Sequence, residues 1–193
     1  MEAKEPDVNA IYSYADYLTW EIQERYELIK GKVFRMSPAP APRHQVISHR
    51  LSGELYVQLK GKKCQTYPAP FDVRLPKKSK NDKDIFTVLQ PDLCVICDPN
   101  KLDKRGCIGA PDIVVEILSP GNNRTELKNK YEAYEEAGVK EYWVIHPEEK
   151  TFFKYILNNK GKFEATRLLT LDDLVTTEIL PDFILDLTSL FED

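Results

Sequence analysis

Between Pro91 and Lys130 the chain carries two Pro-Asp dipeptides, Pro91-Asp92 and Pro111-Asp112, each opening a short apolar run. The second run holds a glutamate, Glu116, and Lys130 lies on a helical pattern downstream. Carboxylates at neighbouring strand positions can hold a hard divalent cation such as Mg2+ through oxygen ligands. Such a cation polarises a phosphoryl oxygen and makes bound water more acidic. A lysine close by neutralises developing charge or positions the water. Asp92, Glu116 and Lys130 are therefore candidates for a metal-assisted phosphodiesterase set.

Strand alternation sorts the acids. Asp92, Cys94 and Ile96 share one face of the run Leu93 to Cys97. Asp112, Val114, Glu116 and Leu118 share a face of the next, with Ile113, Val115 and Ile117 opposite. That second strand is apolar on both sides apart from Glu116, the pattern of a central strand. An ionised carboxylate inside it is costly unless it binds metal or is paired with an arginine or lysine. Asp112 enters the same strand earlier and reads as a supporting residue.

The elements that must deliver these groups can be read in turn. Ser119-Pro120-Gly121 stops the strand, Asn123 and Glu126 form a cap-like pattern, and a helix is expected over Arg124 to Ala137. Leu127, Tyr131 and Tyr134 define its apolar stripe, with Lys130 beside it, pointed inward or along the margin as a snorkelling lysine would be. Upstream, Tyr26 to Ser37 alternates around Lys30-Gly31, a hairpin signal. Glu27 lies in its first strand, which on composition alone is a solvent-facing position. Pro38 to Pro42 reads as an extended connector. A helix then carries Val46, Ile47, Leu51, Leu55 and Leu59 at helical spacing and ends at Gly61. His44 stands in its first turn, either as an ordinary polar residue or as a phosphate-contacting or catalytic one.

The rest supplies scaffold. A short helix is expected over Ser13 to Gln23, an extended Pro-broken segment over Cys64 to Leu75, and a strand over Glu141 to His146. A hairpin is expected across Asn158 to Gly161, with short docking elements in the tail after it. Lys77, Lys78, Lys80 and Lys83 form a connector that is either a solvated loop or, with Lys60, Lys62 and Lys63, a DNA-facing patch. Helices at both ends of a strand-rich middle give an α/β, mixed α+β class, with helices flanking a mixed central sheet.

Bulk properties bound the function. The 193 residues suit one domain, with residues 1–12 expected as a loose N-terminal extension. Net charge is -4 and the pI is about 5.5, so any nucleic-acid contact must be local or metal-mediated. No apolar run reaches the roughly 18 residues of a membrane span, and no signal-peptide pattern opens the chain. A cytoplasmic, reduced protein is expected, with Cys64, Cys94, Cys97 and Cys107 as buried thiols rather than disulfides or metal ligands.

The ordered motifs Tyr26-Glu27-Leu28-Ile29, Met36-Ser37-Pro38-Ala39 with His44, Gln90-Pro91-Asp92-Leu93, Ala110-Pro111-Asp112 with Val115-Glu116-Ile117-Leu118-Ser119-Pro120, Lys130-Tyr131 and Glu141-Tyr142-Trp143 resemble those of the "putative restriction endonuclease" (Uma-two-type) family of the PD-(D/E)XK nuclease superfamily. The resemblance spans about residues 13 to 190. It implies a restriction-endonuclease-like fold, a DNA substrate and Mg2+ or Mn2+ held by Asp92, Glu116 and Glu27, with Lys130 and His44 completing the catalytic set. A homodimer is expected by fold-level analogy, since one site cuts one strand. The chain departs from the superfamily pattern at one position. The superfamily lysine belongs two residues after Glu116, where this chain has Leu118, and Lys130 is the replacement expected from the next helix. Two other readings stay open: a catalytically weak nucleic-acid-binding or assembly module, and a phosphodiesterase for RNA or small nucleotides.

Overall fold

In the computed structural model, which describes residues 5–21, 24–36, 41–119 and 124–192, the doubly apolar run is a central strand, Ile113–Ile117, as its pattern requires. Numbered in chain order, the strands are β1 (Tyr26–Ile29), β2 (Lys32–Arg35), β3 (Gln65–Pro68), β4 (Val73–Arg74), β5 (Val88–Leu89), β6 (Leu93–Ile96), β7 (Leu102–Asp103), β8 (Gly106–Ile108), β9 (Ile113–Ile117), β10 (Glu141–His146), β11 (Thr151–Leu157), β12 (Phe163–Ala165), β13 (Leu174–Thr177) and β14 (Leu180–Asp186). The α-helices are α1 (Tyr14–Tyr17), α2 (Pro42–Leu59), α3 (Arg124–Ala137) and α4 (Leu187–Phe191). One six-stranded sheet runs β12-β11-β10-β9-β6-β3 and a second runs β2-β1-β5-β4-β8-β7, with β13 and β14 paired apart. The first is mixed: β9 and β10 are parallel and its other pairs antiparallel. The expected fold class holds.

Alternation divides the core. Leu93, Val95, Ile113, Val115 and Ile117 face α2, whose Ile47, Leu51, Leu55 and Leu59 are buried against them, and α4 with β14 closes that side. Cys94, Val114, Tyr142 and Val144 face the other way, against Tyr134 of α3 and residues of the second sheet. Val46, expected among the buried residues of α2, is 40% exposed instead. It lies off the stripe that the other four define.

The Lys30-Gly31 hairpin forms with both turn residues at positive φ, 53° and 80°. That is the geometry of a tight turn matched to strand twist. Tyr12 N–H donates to the Gly31 carbonyl, which ties the chain to this turn just before α1. Among the described residues, the expected helix from Ser13 to Gln23 is the four residues of α1, capped by Ser13 with Asp16 in a reciprocal box. Aromatic contacts among Tyr12, Tyr17 and Trp20 organise the chain on either side of this short helix. Parts of the proline connector (37–40) and of the Ser-Pro-Gly turn with its Asn123 cap (120–123) lie outside the described residues.

The cysteine expectation is corrected. Cys64 and Cys97 form a disulfide, because each borders a paired strand end: Gln65 opposes Ile96, and the two cysteines stand next in register. Cys94 and Cys107 are buried thiols, as expected. No helix among the described residues is long and apolar enough to cross a membrane.

Candidate active site

The chain passes from the second sheet into the first at Gln90-Pro91-Asp92, between β5 and β6. This crossing brings Glu27 of β1, on one sheet, up to Glu116 of β9, on the other. Antiparallel β6 and β9 pair Leu93 with Val115 and Cys94 with Val114. Continuing that register by one residue sets Asp92 opposite Glu116. Directly opposed residues share a face at roughly 5 Å between Cβ atoms. The Asp92 Oδ2 also accepts the Ile117 N–H at 2.7 Å, which holds its carboxylate against the end of β9.

All five residues expected from the sequence line one cleft of about 280 Å³: Glu27, His44, Asp92, Glu116 and Lys130. Lys130 is 5% exposed and does not snorkel. Its Nζ lies 3.1 Å from Glu27 Oε1 and 3.1 Å from Glu116 Oε2. Glu27 is 2% exposed, contrary to a solvent-facing strand position, because its strand runs beneath α3. Its Oε1 also accepts the Gln90 N–H at 2.8 Å. His44 Nε2 stands 3.2 Å from Asp92 Oδ1. Its buried Nδ1 has no hydrogen-bond partner among the described residues.

Two groups are not evident from the sequence. Tyr134 donates its hydroxyl to Glu116 Oε1 at 2.8 Å. Gln90 supplies the backbone donor to Glu27, and its side-chain amide reaches Asp72 Oδ1 at 2.8 Å. Tyr134 reads as core from its place on the apolar stripe, yet it lies four residues after Lys130, on the same helical face. That spacing is the available signal. Asp112 is the supporting residue expected. It accepts from Cys97 N–H and from Lys140 Nζ, at the far end of β9 from the cleft. Burial works to raise its pKa, but these two hydrogen bonds together with the Lys140 and Lys101 charges outweigh burial and hold the carboxyl low. The lysine-rich connector does not line the cleft, and Lys77 instead pairs with Glu136 at 3.1 Å.

The electrostatics are those of excess negative charge. Glu27 and Glu116 share a single buried ammonium, and Asp92 adds a further carboxylate beside Glu116. Burial, opposed by Lys130 and reinforced by the Asp92 and Glu27 carboxylates, pushes the Glu116 carboxyl up from 4.5 to about 8. For Lys130, burial favours the neutral amine, but the Glu116 and Glu27 carboxylates override it and keep the group charged. No three His, Cys, Asp or Glu side chains among the described residues converge as a ready-made metal-binding group. Glu27 is instead engaged by Lys130 and Gln90. The pair Asp92 and Glu116 nevertheless fits Mg2+, which is commonly held by one or two carboxylates and completed by water and substrate phosphate oxygens. A second positive charge is also what the surplus carboxylates call for.

A stability measurement checks this charge state. The folded-state pKa of Glu116 lies above its ordinary value, so between pH 4.5 and about 8 the native chain keeps a proton that the unfolded chain has lost. The resulting stabilisation is full below 4.5 and is lost as pH rises to about 8. With chelator present, denaturant unfolding should show wild-type stability falling by roughly 1 kcal/mol per pH unit more steeply than that of Glu116→Gln across this window. Equal slopes would show that Glu116 ionises normally.

A model of the family described as "Putative restriction endonuclease" (Uma2) matches residues 14–188. The chain is 29% identical over 121 residues to "Uncharacterized protein slr1290" of Synechocystis sp., an alignment that covers 62% of this chain and about 60% of that relative's length. Among solved structures, a "putative nuclease belonging to DUF820" from Anabaena variabilis superposes with a TM-score of 0.71 at 22% identity, covering 93% of this chain and 97% of that one. At that identity the likeness establishes the fold.

Proposed function

The chain belongs to the Uma2 family, described as "Putative restriction endonuclease", and on that premise we propose that it is a metal-dependent endonuclease hydrolysing DNA phosphodiester bonds. The observation that carries the proposal is the convergence of Asp92, Glu116, Glu27 and Lys130 in one cleft, with more buried carboxylate than cation to balance it. Asp92 and Glu116 are the residues that would hold Mg2+ or Mn2+. That ion would supply charge stabilisation at the phosphoryl group and acidify a water.

The chain's own groups have separate tasks. Tyr134 and Lys130 orient the Glu116 carboxylate through hydrogen bonds of 2.8 Å and 3.1 Å. The Ile117 N–H and His44 orient Asp92. Glu27 anchors Lys130 from the opposite sheet, so that the ammonium stays at the cleft wall where charge builds up on the phosphate. Lys130 thereby takes the part of the missing motif lysine at Leu118. To cut both strands, two chains would act together as a homodimer.

A second reading, a catalytically weak binding or assembly module, is favoured by one observation: Lys130 is already engaged by two carboxylates. Single-turnover nicking of supercoiled plasmid at enzyme excess separates the two. The nuclease reading expects nicked and linear DNA with Mg2+ or Mn2+ and none with EDTA. Intact plasmid under all metal conditions would leave the binding module.

A further inference from the structure

A second groove, of about 300 Å³, adjoins the carboxylate cleft and shares Leu118 and Leu127 with it. Its floor is one face of β10 and β11, with Leu118 just beyond the end of β9. β9 and β10 pair Glu116 with Val144, and β10 and β11 pair Val144 with Phe153 and Tyr142 with Tyr155. Glu116, Val144 and Phe153 therefore form one row across the sheet. At a strand spacing of about 4.8 Å, Phe153 lies roughly 10 Å from the carboxylate strand, on the order of one to two nucleotide steps. Tyr131 of α3 forms the wall, edge-on to Tyr155 at 5.2 Å between ring centroids.

Two features mark this groove as more than exposed core. The Tyr142 side chain lines it and is 1% exposed, yet its buried hydroxyl has no hydrogen-bond partner among the described residues. A buried hydroxyl left unpaired costs free energy that a ligand's polar edge could restore. Lys128 also lines the groove and adds a cationic group to its aromatic walls, while burial holds the neighbouring His146 toward its neutral form. Aromatic faces, a hydrogen-bonding group and nearby positive charge are the elements by which proteins hold an unstacked base and its phosphate.

We infer that this groove receives an unpaired nucleobase of the DNA strand whose phosphodiester lies in the carboxylate cleft, so that the protein acts on single-stranded or locally unpaired DNA in preference to intact duplex. The inference rests on the nuclease reading for the position of the phosphate. It also gives Leu118 a task. Where the superfamily pattern has a lysine, this chain has an apolar side chain that joins the cleft to the groove. A base paired within a duplex cannot enter, because its faces are covered by stacking. Every base has a π-face, so the groove distinguishes unpaired from paired nucleotides rather than one sequence from another.

The test has a cleavage arm and a binding arm. In the first, labelled single-stranded, flapped and fully paired substrates of one sequence are cut with Mg2+ by wild type, Phe153→Ala and Tyr142→Phe. Wild type is expected to cut unpaired DNA at least tenfold faster than duplex. Phe153→Ala should reduce that ratio roughly tenfold, given the contribution of one base–aromatic stack. Tyr142→Phe keeps the ring and deletes only the orphan hydroxyl, so it remains informative should Phe153→Ala fold poorly. It should weaken unpaired-strand binding two- to tenfold.

In the second arm, anisotropy of a labelled single strand is measured in EDTA. Cleavage without preference for unpaired DNA, or binding that neither variant weakens, overturns the groove assignment and leaves the nuclease reading intact. Binding that both variants weaken, without cleavage of any substrate, supports the groove and removes the nuclease.

Discussion

Lys130→Ala is expected to cost the fold roughly 3–5 kcal/mol and to lower DNA cleavage by two orders of magnitude or more. The stability loss comes from burial. Glu116 and Glu27 are 7% and 2% exposed, and their ammonium partner lies within 3.1 Å of both. Removing one member of a buried ion pair leaves the other uncompensated, which is more damaging than deleting the whole pair. The triple variant Lys130→Ala/Glu116→Gln/Glu27→Gln, which removes both carboxylates together with the ammonium, should therefore recover much of the lost stability, while cleavage stays absent. Chemical denaturation of the three proteins measures this. A single variant within about 1 kcal/mol of wild type would mean that Lys130 is not the compensating charge. The loss of cleavage comes from removing the only buried ammonium that the described cleft residues present to the phosphate. In Lys130→Ala/Leu118→Lys, where a lysine returns to the superfamily position, partial recovery of cleavage is expected.

Asp92→Asn is expected to reduce metal-dependent cleavage about a thousandfold while leaving the protein folded. The two effects separate because Asp92 makes two kinds of contact. Its Oδ2 accepts the Ile117 N–H, and an asparagine oxygen can still do this. What asparagine cannot supply is negative charge toward a cation opposite Glu116. A ligand's share of metal-assisted charge stabilisation is several kcal/mol, and each 1.36 kcal/mol is tenfold in rate. Single-turnover nicking rates, alongside thermal melts, check both halves. Unchanged cleavage would remove Asp92 from the site.

The legibility of the fold varies with the strength of local pattern. The strand Ile113–Ile117 and the helix Arg124–Ala137 are readable because alternation and helical spacing there agree with tertiary burial. The register that sets Asp92 opposite Glu116 is not readable, since alternation fixes the faces of each strand but not which strands pair. Glu27 is not legible from its own strand. Its burial depends on α3 lying across β1, a contact between segments far apart in sequence. The motif resemblance is the only signal that lifts it from the surface. Tyr134 is hidden for the opposite reason: an aromatic on a packing stripe looks like core, and only the ionic partner beside it gives its hydroxyl a role. The Cys64–Cys97 bond is missed when expected compartment outweighs strand register.

The claim that Asp92 and Glu116 together hold a divalent cation is tested most directly by Mn2+ binding to the metal-free protein, measured by titration calorimetry at pH 8. Wild type should bind Mn2+ at one site per chain. Asp92→Asn and Glu116→Gln should each weaken that site at least tenfold, more than is typical for removal of a supporting partner alone. Equal Mn2+ affinity in wild type and both variants, or no binding to any of them, would contradict it.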